Sequence, residues 1–160
     1  MKTCVFAGSF DPFTTGHLYI VNKCLEVFDK VVILVGVNVD KKPLFPDSVR
    51  VNAIKSVFNG NDRVAVDTFS GMLTDYMKKN NILFTVRGLR NQDDYKYENT
   101  MAQYNLDLFP EISTIYIPTP LSLCHISSTA IRNIINSKGD FSNYIPASSL
   151  EILNNYLKNN

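Results

Sequence analysis

Four short stretches of this chain gather the residue types that handle phosphate. The first is "GSFDPFTTGH", residues 8–17, which holds two glycines, three hydroxyls and an imidazole. A helix is expected to start within it, and a helix start has free N–H groups and a positive dipole end that suit phosphate. Ser9, Thr14 and His17 add side-chain donors. Gly8 is expected to leave room for a ligand, and Pro12 to bias Asp11 toward an extended backbone. The second stretch, "DKKPLF", carries Lys41 and Lys42 in a loop stiffened by Pro43; Lys42 is expected to face water. The third, "VRGLRNQDDYKYE", sets Arg87 and Arg90 three apart around Gly88. Guanidinium groups offer planar, multidentate donation to phosphate, and the same pair would also serve Asp93 and Asp94. The fourth, "HISSTAIR", puts Ser127, Ser128 and Thr129 at another helix start, either as a plain N-cap or as a second anion site. Arg132 stands one turn further on.

These groups need a frame to bring them together. "TCVFA" (3–7), "KVVILVGV" (30–37), "RVAVDTF" (63–69), "ILFTV" (82–86) and "STIYI" (113–117) read as strands, the first two apolar on both faces as parallel strands tend to be. Between them lie helical patterns: from Leu18 with Val21, Cys24, Leu25 and Phe28; over 49–58, capped by Asp47 or Ser48; over 72–79; and from the Arg90 region to near Phe109 and Pro110. A helix with a hydroxyl cap and Gly139 just past its end follows, and a short one over 148–157 closes the chain. Strand and helix alternate, which predicts an α/β fold: one domain over residues 1–160, an open Rossmann-like parallel sheet of five strands with helices on both faces. Ligands of such sheets bind beyond the C-terminal strand ends, and the four stretches lie in the segments that follow strands. The residues alone thus give two phosphate sites facing each other across a sheet edge.

Composition narrows the class. The formal net charge is +1 over 160 residues, so no overall field draws the chain to nucleic acid or membrane. The longest apolar run, "VVILVGV", is far shorter than the roughly 20 residues of a spanning helix. No secretory leader is visible, since Asp11 and Pro12 interrupt the first apolar run. Cys4, Cys24 and Cys124 lack metal-site spacing and read as reduced packing residues of a cytoplasmic protein. No all-carboxylate metal cage and no pattern for a covalent enzyme intermediate appears. His125 has no evident partner and is read as non-catalytic. Tyr95, Tyr97 and Tyr104 are read as core or interface residues.

Thr14-Thr15-Gly16-His17 matches the T-x-G-H signature of the nucleotidylyltransferase superfamily, and "ISSTAIR" resembles its closing signature. "GSFDPFTTGH", "KKPLF", "VRGLR" and "DYKYE", in this order, resemble the bacterial phosphopantetheine adenylyltransferase branch, nearly end to end. One departure is Ala7, where that branch commonly has proline; alanine is small and adds no bulk. The resemblance implies transfer of the adenylyl group of ATP to 4′-phosphopantetheine, giving dephospho-coenzyme A and pyrophosphate, by direct attack of the acceptor phosphate. It implies that His17 stabilises the transition state, that Lys41 and Arg87 orient the acceptor with Ser9 beside it, and that Leu73 holds the pantetheine arm. It places ATP against Ser9, Phe10, His17, Gly88, Leu89, Arg90, Glu98, Ser127, Ser128 and Thr129, with Arg90 and the three hydroxyls holding pyrophosphate as it leaves. Mg2+ is expected to arrive with ATP, and the family assembles as homohexamers. Two other readings stay open: a sibling nucleotidylyltransferase using nicotinamide mononucleotide or a sugar or glycerol phosphate, and a non-catalytic nucleotide-binding module. R-G-L-R and K-K-P argue for phosphopantetheine; the intact histidine and phosphate loop argue for catalysis.

Overall fold

Alternating apolar strands and amphipathic helices fold as a doubly wound sheet in the computed structural model, which describes residues 1–38 and 42–159. Lys41, expected to bind the acceptor phosphate, lies outside the described residues. The strands are β1 (Thr3–Gly8), β2 (Lys30–Gly36), β3 (Val64–Phe69), β4 (Phe84–Leu89) and β5 (Ser113–Pro118). They form one sheet in the order β3-β2-β1-β4-β5, with every pairing parallel. The helices are α1 (Thr15–Val27), α2 (Asp47–Val57), α3 (Leu73–Lys79), α4 (Gln92–Leu108), α5 (Ser128–Asn136) and α6 (Ala147–Lys158), with one 3-10 turn at Ser142–Tyr144.

The two-residue period of a strand divides the core in two. Cys4 and Phe6 of β1 and Val31, Ile33 and Val35 of β2 pack against Ile20, Val21 and Cys24 of α1 and Ile54 of α2. Val5, Ala7, Val32 and Leu34 face the other way, onto Met77 of α3 and Phe109 just past α4. A third cluster, built from Phe45, Ala53, Ile126, Ile131 and Leu153, joins α5 and α6 to α2. Helices therefore cover both faces, and the last two extend the α2 side.

α1 begins at Thr15, inside the first stretch as expected, with Thr14 as its cap. Two local expectations need correction. Neither Asp47 nor Ser48 caps α2: the cap position is Pro46, without a side-chain bond, and Asp47 lies in the first turn. β4 runs on to Leu89, so Arg87 and Gly88 sit on the strand's end and not in a loop. Tyr95, Tyr97 and Tyr104, read as core or interface residues, are exposed, which leaves the interface reading, and α4 as a whole contains no buried residue.

The chain winds outward from β1 to β2 and β3, then returns to β4 on the other side of β1. That reversal opens a crevice beyond the carboxyl ends of β1 and β4.

Candidate active site

Two clefts meet at this crevice. The first, about 310 Å³, is lined by Gly8, Ser9, Phe10, His17, Gly88, Arg90 and the Ser127–Thr129 hydroxyls, among others. The second, about 790 Å³, is lined on its apolar side by Phe69, Met72, Leu73 and Met101. Ala7, Gly8, Ser9, Arg87 and Glu98 belong to both walls. Most of the residues expected in the site are thus brought to one place. Leu89 is the exception among those described: it lines neither cleft, and its carbonyl accepts the Thr119 N–H at 2.7 Å.

His17 is fixed by the start of its own helix. Thr14 Oγ1 accepts the His17 N–H at 3.2 Å, and the Thr14 N–H donates to His17 Nδ1 at 3.0 Å. This is a capping box with an imidazole in the usual place of Glu or Gln. Because Nδ1 accepts from a backbone donor, the ring proton of the neutral form must sit on Nε2. The rings of Phe6, Phe10 and Phe13 surround the imidazole, with centroids 6.0, 5.0 and 5.4 Å away. Burial, and then the charges of Arg90 and Arg87, push its pKa down to about 3. At neutral pH His17 is therefore an uncharged Nε2–H donor. Phe10 holds a backbone φ of 47°, and a Cβ on Gly8 would lie 3.0 Å from its ring. Gly8 thus leaves space for that ring, and it also lines both clefts, where it was expected to make room for a ligand.

The two arginines are oriented by one face of α4. Glu98 accepts from Arg87 Nε at 2.7 Å and Nη2 at 2.6 Å, and Arg87 Nη1 also donates to the Ala7 carbonyl. Asp94, one turn earlier, accepts from Arg90 Nε at 2.9 Å and Nη2 at 3.0 Å. Burial raises the Asp94 carboxyl, but its bonds and charge contact with Arg90 outweigh that and hold it below the usual carboxylate range. Carboxylate pairing, one of the two roles the sequence left open for the arginines, is present in the fold, and both guanidinium groups also line the polar cleft. Each guanidinium has five N–H donors, so donors remain for an anion. Asp93 points elsewhere and lies 3.8 Å from Lys96.

α5 supplies the facing helix start. Ser127 Oγ accepts the Ala130 N–H at 3.1 Å as its cap, and Ser128 Oγ donates to the Pro12 carbonyl at 2.8 Å. Arg132 donates to Thr129 Oγ1 at 3.1 Å and to the Asp11 carbonyl at 2.8 Å. The N-termini of α1 and α5 thereby open into one cleft, with Arg90 beside them. Cys124 Sγ lies 3.2 Å from the Arg90 carbonyl.

Two buried charges escaped the sequence reading. Asp11, 5% exposed, accepts the N–H groups of Leu44 and Phe45 at 2.9 and 2.8 Å. Arg50, 4% exposed, donates to the carbonyls of Ser9, Gly36 and Phe45. Their hydrogen-bond partners are backbone atoms up to 41 residues away, and Arg132 Nη1 lies 4.0 Å from Asp11 Oδ2, which leaves no local signal. Among the described residues no group of three or more His, Cys, Asp or Glu side chains could hold a metal ion. No described helix is long and apolar enough to cross a membrane.

A cytidylyltransferase-like family model matches residues 5–134. The phosphopantetheine adenylyltransferase of Cytophaga hutchinsonii is 40% identical over 145 residues, covering 91% of this chain and 97% of that protein. Those of Geotalea daltonii and Alkaliphilus metalliredigens are 36% and 34% identical, over 91% and 96% of this chain and 91% and 98% of theirs. Among solved structures, a bifunctional NMN adenylyltransferase/ADP ribose pyrophosphatase from Francisella tularensis matches with a TM-score of 0.73 at 21% identity. That match covers 99% of this chain and about half (49%) of the bifunctional protein, so it speaks to the fold alone. With its T-x-G-H histidine at the switch point of a doubly wound sheet, and with these relatives along most of its length, the chain belongs to the phosphopantetheine adenylyltransferase family of cytidylyltransferase-like nucleotidylyltransferases.

Proposed function

We propose that the chain transfers the adenylyl group of ATP to 4′-phosphopantetheine, forming dephospho-coenzyme A and pyrophosphate. The observation that carries this is the junction of two unlike clefts at Ser9, Arg87 and Glu98. One cleft is polar, with two helix N-termini, and suits a triphosphate. The other has an apolar wall that includes Leu73 and suits a long, largely uncharged arm. A phosphate oxygen of the acceptor attacks the α-phosphorus from the junction. The new P–O bond forms as the bond to the β-phosphate oxygen breaks, and pyrophosphate leaves with that electron pair.

No group of the protein needs to become covalently bound. The chain positions both phosphates and stabilises charge. His17 donates Nε2–H to a non-bridging α-oxygen, starting from the neutral imidazole that burial and the two arginines favour. Arg87, with Ser9 and Lys41, orients the acceptor. Arg90 and the hydroxyls of residues 127–129 hold the departing pyrophosphate. ATP would enter as its magnesium complex; with no cluster of metal-ligating side chains among the described residues, the ion would be held largely by phosphate oxygens and water and would neutralise phosphate charge. Homo-oligomerisation through the uncovered α4 face belongs to the same reading.

Pyrophosphate release with ATP against a panel of acceptors tests the assignment. The expected outcome is turnover with phosphopantetheine and none with nicotinamide mononucleotide. Turnover with the mononucleotide alone would move the chain to a sibling activity.

A further inference from the structure

Arg50 lies in the first turns of α2, outside every stretch that carries the family resemblance to a substrate site. Its guanidinium reaches three separate pieces of backbone. Nη1 donates to the Ser9 carbonyl at 2.5 Å and to the Gly36 carbonyl at 3.1 Å, and Nε donates to the Phe45 carbonyl at 2.9 Å. These belong to the residue after β1, the last residue of β2 and the loop before α2. Asp11 grips the same loop from the other side through the Leu44 and Phe45 N–H groups. A buried acid and a buried base thus clamp the Phe45 peptide, and "KKP" lies just ahead of it.

From these contacts we infer that Arg50 is a positioning residue for the acceptor phosphate, holding Ser9 and Phe45 at one fixed separation and adding a buried positive charge behind them. The inference rests on the reaction proposed above. A cavity of about 620 Å³ lies on this side, lined by Ser9, Asp11, Lys42, Arg50 and Arg132 among others. Three cations and one carboxylate there favour an anion. All the hydrogen bonds from Arg50 to described residues go to carbonyls, which solvate a guanidinium but do not neutralise it. A buried ion held this way is a costly brace if packing is its whole task. Burial lowers its pKa, with Asp11 and Asp47 acting in the opposite sense. In such a low-dielectric setting a fixed charge acts strongly on a nearby dianion.

Arg50→Lys separates the two roles, since lysine keeps the charge but lacks the planar fork that reaches three carbonyls. Arg50→Met removes charge and bonds together. Steady-state kinetics with magnesium-ATP and 4′-phosphopantetheine, ATP binding by calorimetry and thermal unfolding are measured on each variant and on the wild type. The expected result is a KM for phosphopantetheine at least tenfold higher in Arg50→Lys, with ATP affinity within threefold of wild type. A purely structural brace would lower Tm and leave the ratio of the two KM values unchanged, and that result overturns the inference. Should Arg50→Met not fold, Asp11→Asn is the second variant. It loosens the same loop from the opposite side and must move the same KM in the same direction; an unchanged KM in folded Asp11→Asn and Arg50→Lys overturns the inference. A wild-type enzyme that does not use phosphopantetheine overturns the acceptor assignment itself, whereas wild-type turnover with unshifted variants overturns only the role of Arg50.

Discussion

His17 does two jobs with its two nitrogens. Nδ1 closes the capping box with Thr14, and Nε2 is left as a neutral donor. An alanine at this position would lose both, so a fall in activity could be blamed on a frayed helix. Glutamine separates them. Gln at the third helical position is the ordinary partner of a threonine N-cap, so His17→Gln should keep the box while removing the imidazole donor. The expected outcome is a Tm close to wild type and ATP affinity within a few-fold. The expected fall in kcat is ~10²–10³-fold, equivalent to about 3–4 kcal/mol of transition-state stabilisation. A kcat within about threefold of wild type, in a folded variant that binds ATP, would take His17 out of the mechanism. T-x-G-H announced this residue in the sequence because spacing within one turn is local. Its protonation state was not legible, because the causes are Phe6, Arg87 and Arg90, which come from other strands and loops.

Elements place these residues, and β4 shows how. Its end was expected at Val86, since an arginine and a glycine look like the start of a loop. In the fold Arg87 pairs in register with Tyr116 of β5, and Gly88 with Ile117. The glycine is there for α1: a Cβ on Gly88 would lie 2.9 Å from Ile20 Cγ1 and 3.0 Å from its Cδ1. Ile20 is buried in the same core cluster that holds Val21 and Cys24. Gly88→Ala should therefore push α1 from the sheet, at a cost of about 1–3 kcal/mol, or a Tm loss of roughly 2–4 °C per kcal/mol. It should also lower kcat, because α1 carries His17 and β4 leads to Arg90. Adding Ile20→Ala makes room for the methyl group. The double variant should lose clearly less stability than the two single losses added together, and strict additivity would show that the two residues do not meet. The strands and most helices were readable because apolar periodicity is a local property. The end of β4 and the bare start of α2 at Pro46 were not, since pairing and packing partners decide them.

At the scale of the whole molecule, α4 is the odd element. It is 17 residues long and buries none of them within its own chain. Asp94, Tyr97, Glu98, Met101 and Asn105 face the clefts. Tyr104 is 59% exposed, and Leu106 and Leu108 are also uncovered. A helix derives most of its stability from packing an apolar face, and exposed apolar surface of this extent marks a contact surface. We propose a second copy of the chain as its occupant. The consequence reaches the active site, because Glu98 and Asp94 of this helix orient Arg87 and Arg90. If neighbouring copies hold α4 in place, assembly and activity are coupled. Light scattering should then give a mass that is a multiple of the single chain, and specific activity should fall as the enzyme is diluted through its dissociation range. Tyr104→Glu puts a charge on the uncovered face without touching the clefts. It should move both transitions to higher protein concentration, while the activity of the assembled form stays near wild type. A single-chain species with full activity at every dilution would show instead that the two carboxylate–arginine pairs suffice to hold α4.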